Sequence, residues 1–161
     1  MADLYDQIQA EIAKYPDRRG AILPALRHAQ EHYGWLSPEA IEAVAEALDL
    51  SPARCVAVAS FYDMFFLQPV GEHVVEVCTN LSCALVGSDQ VLRRFEDELG
   101  VRAPGTSEDG CITLRRVECL GGCGWGPVVS VDEEYQEHFK PEDVGPLCER
   151  LRASRPTESH A

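Results

Sequence analysis

Two close pairs of cysteines constrain this chain more than any other feature of its sequence. Cys78 and Cys83 form a C-x4-C spacing, and Cys119 and Cys123 a C-x3-C spacing. The second pair lies in the string ECLGGCGWGP, Glu118 to Pro127, among Gly121, Gly122, Gly124 and Gly126. A buried structural cysteine needs packing neighbours, and glycines supply none. The segment reads as main chain drawn close to a body that side chains would obstruct.

Three further cysteines, Cys55, Cys111 and Cys148, bring the total to 7 in 161 residues. The opening MADLYDQIQAEIAKYP has no basic stretch followed by an apolar core, so a cytoplasmic setting is expected. In a reducing compartment, cysteine richness points to metal binding or catalysis before disulfides. No apolar run approaches the length that crosses a bilayer, and direct membrane insertion is not expected. The 27 carboxylates outnumber the 14 Lys and Arg, a field opposed to phosphate neutralisation, so nucleic acid is a poor partner. The same excess fits either docking on a basic surface or a solvated acidic face.

The chain changes texture near residue 70. Before it, apolar residues keep helical spacing: Leu4, Ile8, Ile12 and Tyr15, then Ile22, Leu26, Ala29 and Tyr33. Pro24 in the second set predicts a kink or a later helix start. Ser37-Pro38 and Ser51-Pro52 each place a capping residue before a proline at the first helical position. Residues 1–70 are therefore expected to form a small bundle of four helices. The cluster Phe61, Tyr62, Phe65 and Phe66 closes it, open to reading as a partner-docking patch but expected for most of the four as core packing where bundle meets sheet. After residue 70, HVVEV reads as a strand, Ser88 as the cap of a helix ending at Gly100, and CITLRRVE as a second strand. PVVSVD and EYQEHF read as a hairpin, and Pro141 opens a last helix. The order β-α-β-β-β-α over residues 71–155 is close to a reduced thioredoxin fold, with a disordered tail expected at 156–161. The predicted class is α+β.

Both cysteine pairs fall where a strand hands over to the next element. If those transitions share one end of the sheet, four thiolates converge as a metal site. Structural zinc also uses paired cysteines, and a zinc adaptor that only joins subunits is the competing reading. Three features favour an iron–sulfur cluster. A helix and a strand separate the pairs, which is far for a compact zinc ribbon. The chain is long enough for a core and needs no metal staple. The glycine loop can aim N–H groups at inorganic sulfides, which a lone zinc does not require.

The strings CTNLSCALVGSDQVLRRFEDELG and ECLGGCGWGPVVSVDEEY resemble the thioredoxin-like 2Fe-2S subunit of NADH–quinone oxidoreductase, the E subunit of bacterial complex I. AILPALRHAQEHYGWLSPEAIEAVAEALDLSP and VASFYDMF are similar to that family's helical N-terminal region. The resemblance covers about residues 15–152. It implies Cys78, Cys83, Cys119 and Cys123 as ligands of a 2Fe-2S cluster. It also implies a partner flavoprotein that binds FMN and NADH, within a larger redox complex on the cytoplasmic side of a membrane. Related subunits serve NAD-linked hydrogenases and formate dehydrogenases. The family often carries a small residue where Trp125-Gly126 precede Pro127, and its fold suggests a cis-proline at that position.

The remaining residues read more plainly. Cys55 and Cys148 continue apolar helix faces and are expected as buried thiols, whereas Cys111, after Asp109-Gly110, is expected to be partly exposed. No C-x-x-C occurs, which argues against disulfide exchange. His28 and His32 stand four apart but lack the acid of H-E-x-x-H, and solvent-facing positions are expected. The chain has no dinucleotide or phosphate-loop motif, so NADH and flavin belong on another polypeptide. A cluster of this type is anionic when oxidised and more so when reduced. One carboxylate about 10 Å away, at an effective dielectric of about 20, opposes the added electron by roughly 1.7 kcal/mol. That is on the order of 70 mV for one electron. A low potential is expected.

Overall fold

The computed structural model describes residues 3–154, and the tail expected at 156–161 lies outside the described residues. Two compact units meet in sequence at Pro69 and Val70.

The first unit holds four helices, α1 (Leu4–Ile12), α2 (Ile22–Tyr33), α3 (Pro38–Leu48) and α4 (Pro52–Ala59). Leu4 and Ile8 lie one turn apart and bury the inner face of α1. A 3-10 turn, Arg18–Ala21, precedes α2, and the Asp17 side chain accepts the Arg19 N–H at its start. Pro24 is the third residue of α2, where helical N–H groups have no acceptor in any case. The later start, rather than a kink, is the arrangement found. Gly34 ends α2 at φ 79°. Ser37 Oγ accepts the Ala40 N–H at 3.1 Å and caps α3, while the Ser51 side chain makes no such bond at α4.

Ile8, Leu26, Leu36, Val44 and Leu48 fill the interior of this unit. Of the aromatic cluster only Phe65 joins that core; Phe61 stays 79% exposed and Tyr62 37%. The expectation of core packing thus fails for Phe61. Its position past the end of α4 removes it from the buried face that Cys55 and Ala59 define. His28 is half-buried, not solvent-facing, with Nε2 3.3 Å from Glu11 Oε1 and Nδ1 3.6 Å from Glu31 Oε2.

The second unit is built on five strands: β1 (His73–Cys78), β2 (Gly105–Thr106), β3 (Ile112–Val117), β4 (Val129–Val131) and β5 (Glu134–Gln136). Their order across the sheet is β2-β3-β1-β4-β5. β1 and β3 are parallel, with Cys78 opposite Val117; the other pairings are antiparallel. Three helices complete the unit: α5 (Leu81–Leu85), α6 (Ser88–Leu99) and α7 (Val144–Ala153). Val75 and Val77 of β1, Ile112 and Leu114 of β3, and Phe95 of α6 form one apolar cluster with Leu147 and Cys148 of α7. The Phe95 and Phe139 rings stack inside it, centroids 5.7 Å apart. Period-two burial along β1 is what turns Glu76 away from this core, toward Arg115 at 2.8 Å on β3.

The order expected from sequence therefore holds, with two short additions. The strand β2 is only two residues long, too short to show a period in sequence. α5 is one turn, set up by Asn80, whose Oδ1 accepts the Leu81 N–H at 2.7 Å. Ser88 does not cap α6: Gly87 occupies that position at φ 104°, and Ser88 Oγ is buried without a hydrogen-bond partner. Gly100 ends the helix at φ 68° as expected. Cys111 is fully buried in the sheet core rather than partly exposed. Its N–H is held by Asp109 Oδ1 at 2.9 Å, so the turn directs the side chain inward. The Ala103-Pro104 and Gly126-Pro127 peptides are cis, the second matching the family's suggestion.

Candidate metal centre

Parallel pairing is what brings the cysteines together. Because β1 and β3 run the same way, their C-terminal ends lie at one edge of the sheet, where Cys78 faces Val117. β4 runs against β1, so its beginning reaches that same edge: the Cys78 N–H donates to Val128 O at 3.2 Å. The chain leaving β1 enters α5, which carries Cys83, and the chain leaving β3 enters the loop with Cys119 and Cys123. Two elements of one sheet thereby deliver both pairs to a single edge.

Cys78 and Cys83 are buried, and with Val128 and the half-buried Leu120 they form a small cluster of their own. Cys119 and Cys123 are exposed. Burial pushes the Cys83 thiol above its ordinary range, opposed by the nearby Val128 backbone; Cys78 and Cys123 add to the rise. The second loop reaches the first at Gly126, which lies against Cys83. The Cys78 thiol lies 4.0 Å from Glu118 O, and the Gly121 N–H donates to Cys119 Sγ at 3.3 Å. Among the described residues no three or more His, Cys, Asp or Glu side chains are gathered closely enough to hold a metal ion as they stand.

The glycines of the loop do different things. A Cβ on Gly126 would sit 3.0 Å from Val86 Cγ2 and 3.4 Å from Cys83 Sγ, so side-chain absence there admits close approach to the sulfur. One on Gly122 would meet Val128 Cγ2 at 2.9 Å. Gly121 adopts φ 76°, which aims its N–H back at Cys119. Gly124 meets nothing within 4 Å, and the structure gives no steric reason for it. Bare main chain and the Gly121 N–H turned toward a cysteine sulfur match what an iron–sulfur cluster asks of its surroundings.

Sequence reasoning missed a cation at this edge. Arg116, at the end of β3, donates from Nε to Thr79 Oγ1 at 3.1 Å, next to Cys78. It lies outside both cysteine loops in sequence, and only the β1–β3 register places it there. A second unforeseen group stands away from the cysteines. His73 bridges Asp132, 2.6 Å from Nδ1, and Ser154, 3.2 Å from Nε2. The Ser154 hydroxyl donates to Leu151 O at 2.9 Å, so its proton is directed into the helix end rather than toward the imidazole. The group fastens α7 to β1 and does not present a nucleophile.

The other thiols are packing groups. Burial raises the Cys55 thiol, and burial with Glu98 nearby pushes Cys148 up to about 11. No described helix is long and apolar enough to cross a membrane.

Residues 8–152 match the family model described as thioredoxin-like 2Fe-2S ferredoxin. The chain is 41% identical over 145 residues to the E subunit of the NADH-quinone oxidoreductase of Mycobacterium tuberculosis, covering 90% of this chain and 58% of that protein. It therefore spans somewhat over half the length of its mycobacterial relatives. The E 2 subunit of the same enzyme from Rhizobium meliloti is 39% identical over 149 residues, covering 92% of this chain and 89% of that one. Among solved structures, an NAD+-reducing NiFe hydrogenase in its H2-reduced state superposes with a TM-score of 0.74 at 18% identity. That match covers 87% of this chain and 23% of the hydrogenase chain, and it bears on the fold alone.

Proposed function

The chain belongs to the thioredoxin-like 2Fe-2S ferredoxin family, and on that premise we propose that it is the one-electron carrier subunit of an NADH–quinone oxidoreductase. Cys78, Cys83, Cys119 and Cys123 hold the 2Fe-2S cluster, and electrons pass between this chain and the FMN of a partner NADH-binding subunit. The observation that supports the reading is that the segments carrying both cysteine pairs leave the parallel strands β1 and β3 at one C-terminal edge, where Gly126 lies against Cys83. The NADH-quinone oxidoreductase relatives from two bacterial genera support the choice of parent enzyme.

When bound, the cluster supplies a site that takes up and releases single electrons, which a flavin reduced by hydride must deliver one at a time. The chain's own residues do the rest. The Gly121 N–H donates to the Cys119 sulfur and offsets the negative charge there. Gly126 and Gly122 keep the loop free of side chains where it must lie close. Burial of Cys78 and Cys83 keeps water from one side, while Cys119 and Cys123 face outward, the side from which an electron donor approaches. Glu118 beside Cys119 disfavours added electrons, and Arg116 beside Thr79 favours them.

An EPR-monitored redox titration of the purified chain is expected to give a low midpoint potential. A value well above that of the NADH couple contradicts the proposed direction of electron flow. Affinity isolation from native cells is expected to recover an FMN-containing subunit with the chain. Recovery of a cluster-loaded chain that transfers electrons without any flavoprotein supports a free ferredoxin instead. Recovery with a nickel hydrogenase or a formate dehydrogenase assigns the same carrier role to a different NAD-linked enzyme.

A further inference from the structure

The peptide between Leu120 and Gly121 is held at both ends. Its carbonyl accepts a hydrogen bond from the Tyr135 hydroxyl, and its N–H donates to Cys119 Sγ at 3.3 Å. Tyr135 belongs to β5, opposite Ser130 of β4, and so reaches the cysteine loop from a separate element of the sheet. The same return of chain grips the loop twice more. The His138 N–H donates to Trp125 O at 2.8 Å, and the Phe139 N–H to Pro127 O at 3.0 Å.

This arrangement has an electrostatic consequence. A peptide polarised at its oxygen donates better from its nitrogen, by about 10–30% per added bond. Gly121 takes φ 76°, which only the absence of a Cβ allows without strain, and the Tyr135 hydroxyl holds the carbonyl of the preceding peptide. An N–H donor at a ligating sulfur stabilises the more negative, reduced state above the oxidised one. We propose that Tyr135 is a positioning residue for electron uptake, acting through the Leu120–Gly121 peptide on the Cys119 sulfur. The inference rests on the ligand set proposed above. It adds a residue outside both cysteine pairs that sets how readily the centre is reduced.

Tyr135→Phe keeps the ring and removes the hydroxyl. In the full chain loaded with iron and sulfide, the variant is expected to keep wild-type metal and sulfide content. Its equilibrium constant for one-electron reduction by dithionite is expected to fall about three-fold, a negative shift on the order of 30 mV at about 59 mV per ten-fold. Amide hydrogen exchange in the peptide 119–126, followed by mass spectrometry, is expected to be faster. Tyr135→Leu, which removes the ring as well, is expected to shift the potential no further than Tyr135→Phe.

Equal potentials for wild type and Tyr135→Phe, with equal exchange, overturn the inference and leave the ligand assignment standing. A shift seen only in Tyr135→Leu assigns the effect to ring packing and overturns it equally. If the wild-type chain holds no iron and sulfide, the ligand assignment itself fails. The exchange rates of the metal-free chains then still report the hydroxyl contact, and identical rates show that Tyr135 does not hold the peptide.

Discussion

Cys83→Ala protein is expected to leave reconstitution with iron and sulfide without visible absorption, its iron and sulfide far below the about two of each per chain that a 2Fe-2S centre requires. Cys83 is 2% exposed and faces a loop that only a glycine at 126 lets approach. Alanine at this place leaves one iron with a single protein thiolate and puts no ligand in reach. A buried cysteine outside the pairs provides the contrast. Cys148→Ala, on the buried face of α7, is expected to load like wild type. Circular dichroism separates loss of ligand from loss of fold, because Cys83 belongs to a three-residue cluster apart from the main core. Cluster binding also stabilises the folded state it selects, so the rise in melting temperature on loading is expected for wild type and Cys148→Ala but not for Cys83→Ala. A Cys83→Ala chain with full iron and sulfide content removes Cys83 from the ligand set.

The largest expected effect on stability belongs to Phe95→Ala. Phe95 is fully buried, stacks on Phe139, and fills the space where α6 meets β1 and β3. Truncating a buried phenylalanine loses its transfer free energy and leaves a cavity, together about 3–5 kcal/mol. Domains of this size are stable by about 5–15 kcal/mol, so the variant retains a small margin. For a unit of under a hundred residues the melting temperature is expected to fall by on the order of 10–25 °C. Urea unfolding followed by circular dichroism measures the change. A loss below about 1 kcal/mol would mean that α6 does not cover the sheet at this point. The cysteine edge should suffer with the core, because β1 carries Val75 and Val77 into it and ends at Cys78.

Much of this architecture was legible in the residues because local rules and tertiary outcome agree there. The HVVEV strand, the glycine stop at Gly100 and the Ser37-Pro38 entry all appear where expected. Ser88 misled because a serine before an apolar helix face reads as a cap. Whether Gly87 takes that place instead depends on a left-handed backbone that no periodicity reveals. Phe61 misled because aromatic content signals burial only on average, and its side of the chain past α4 is set by where the helix stops. The α5 turn was invisible: five residues are too few to show a period, and its cap at Asn80 is a single side chain.

The candidate site divides in the same way. Cysteine spacing and the glycine string pointed to the loops, since those are facts of sequence. Arg116 and Tyr135 could not be found so, because both reach the site across strand pairings. Arg116 is placed by the β1–β3 register, and Tyr135 by the β4–β5 hairpin. Arg116 stands three residues before Cys119, yet its contact with Thr79 depends on the strand register, and Tyr135 stands twelve residues past Cys123. The Tyr-bearing hairpin was foreseen, but not that its hydroxyl would turn toward Leu120.

One measurement bears most directly on the whole account: iron, acid-labile sulfide and zinc determined together on the chain purified without oxygen from cells that make it. The account predicts about two irons and two sulfides per chain, zinc in trace amounts only, and an EPR signal that appears on reduction with dithionite. One zinc per chain with neither sulfide nor visible colour contradicts it and makes the cysteine edge a structural staple.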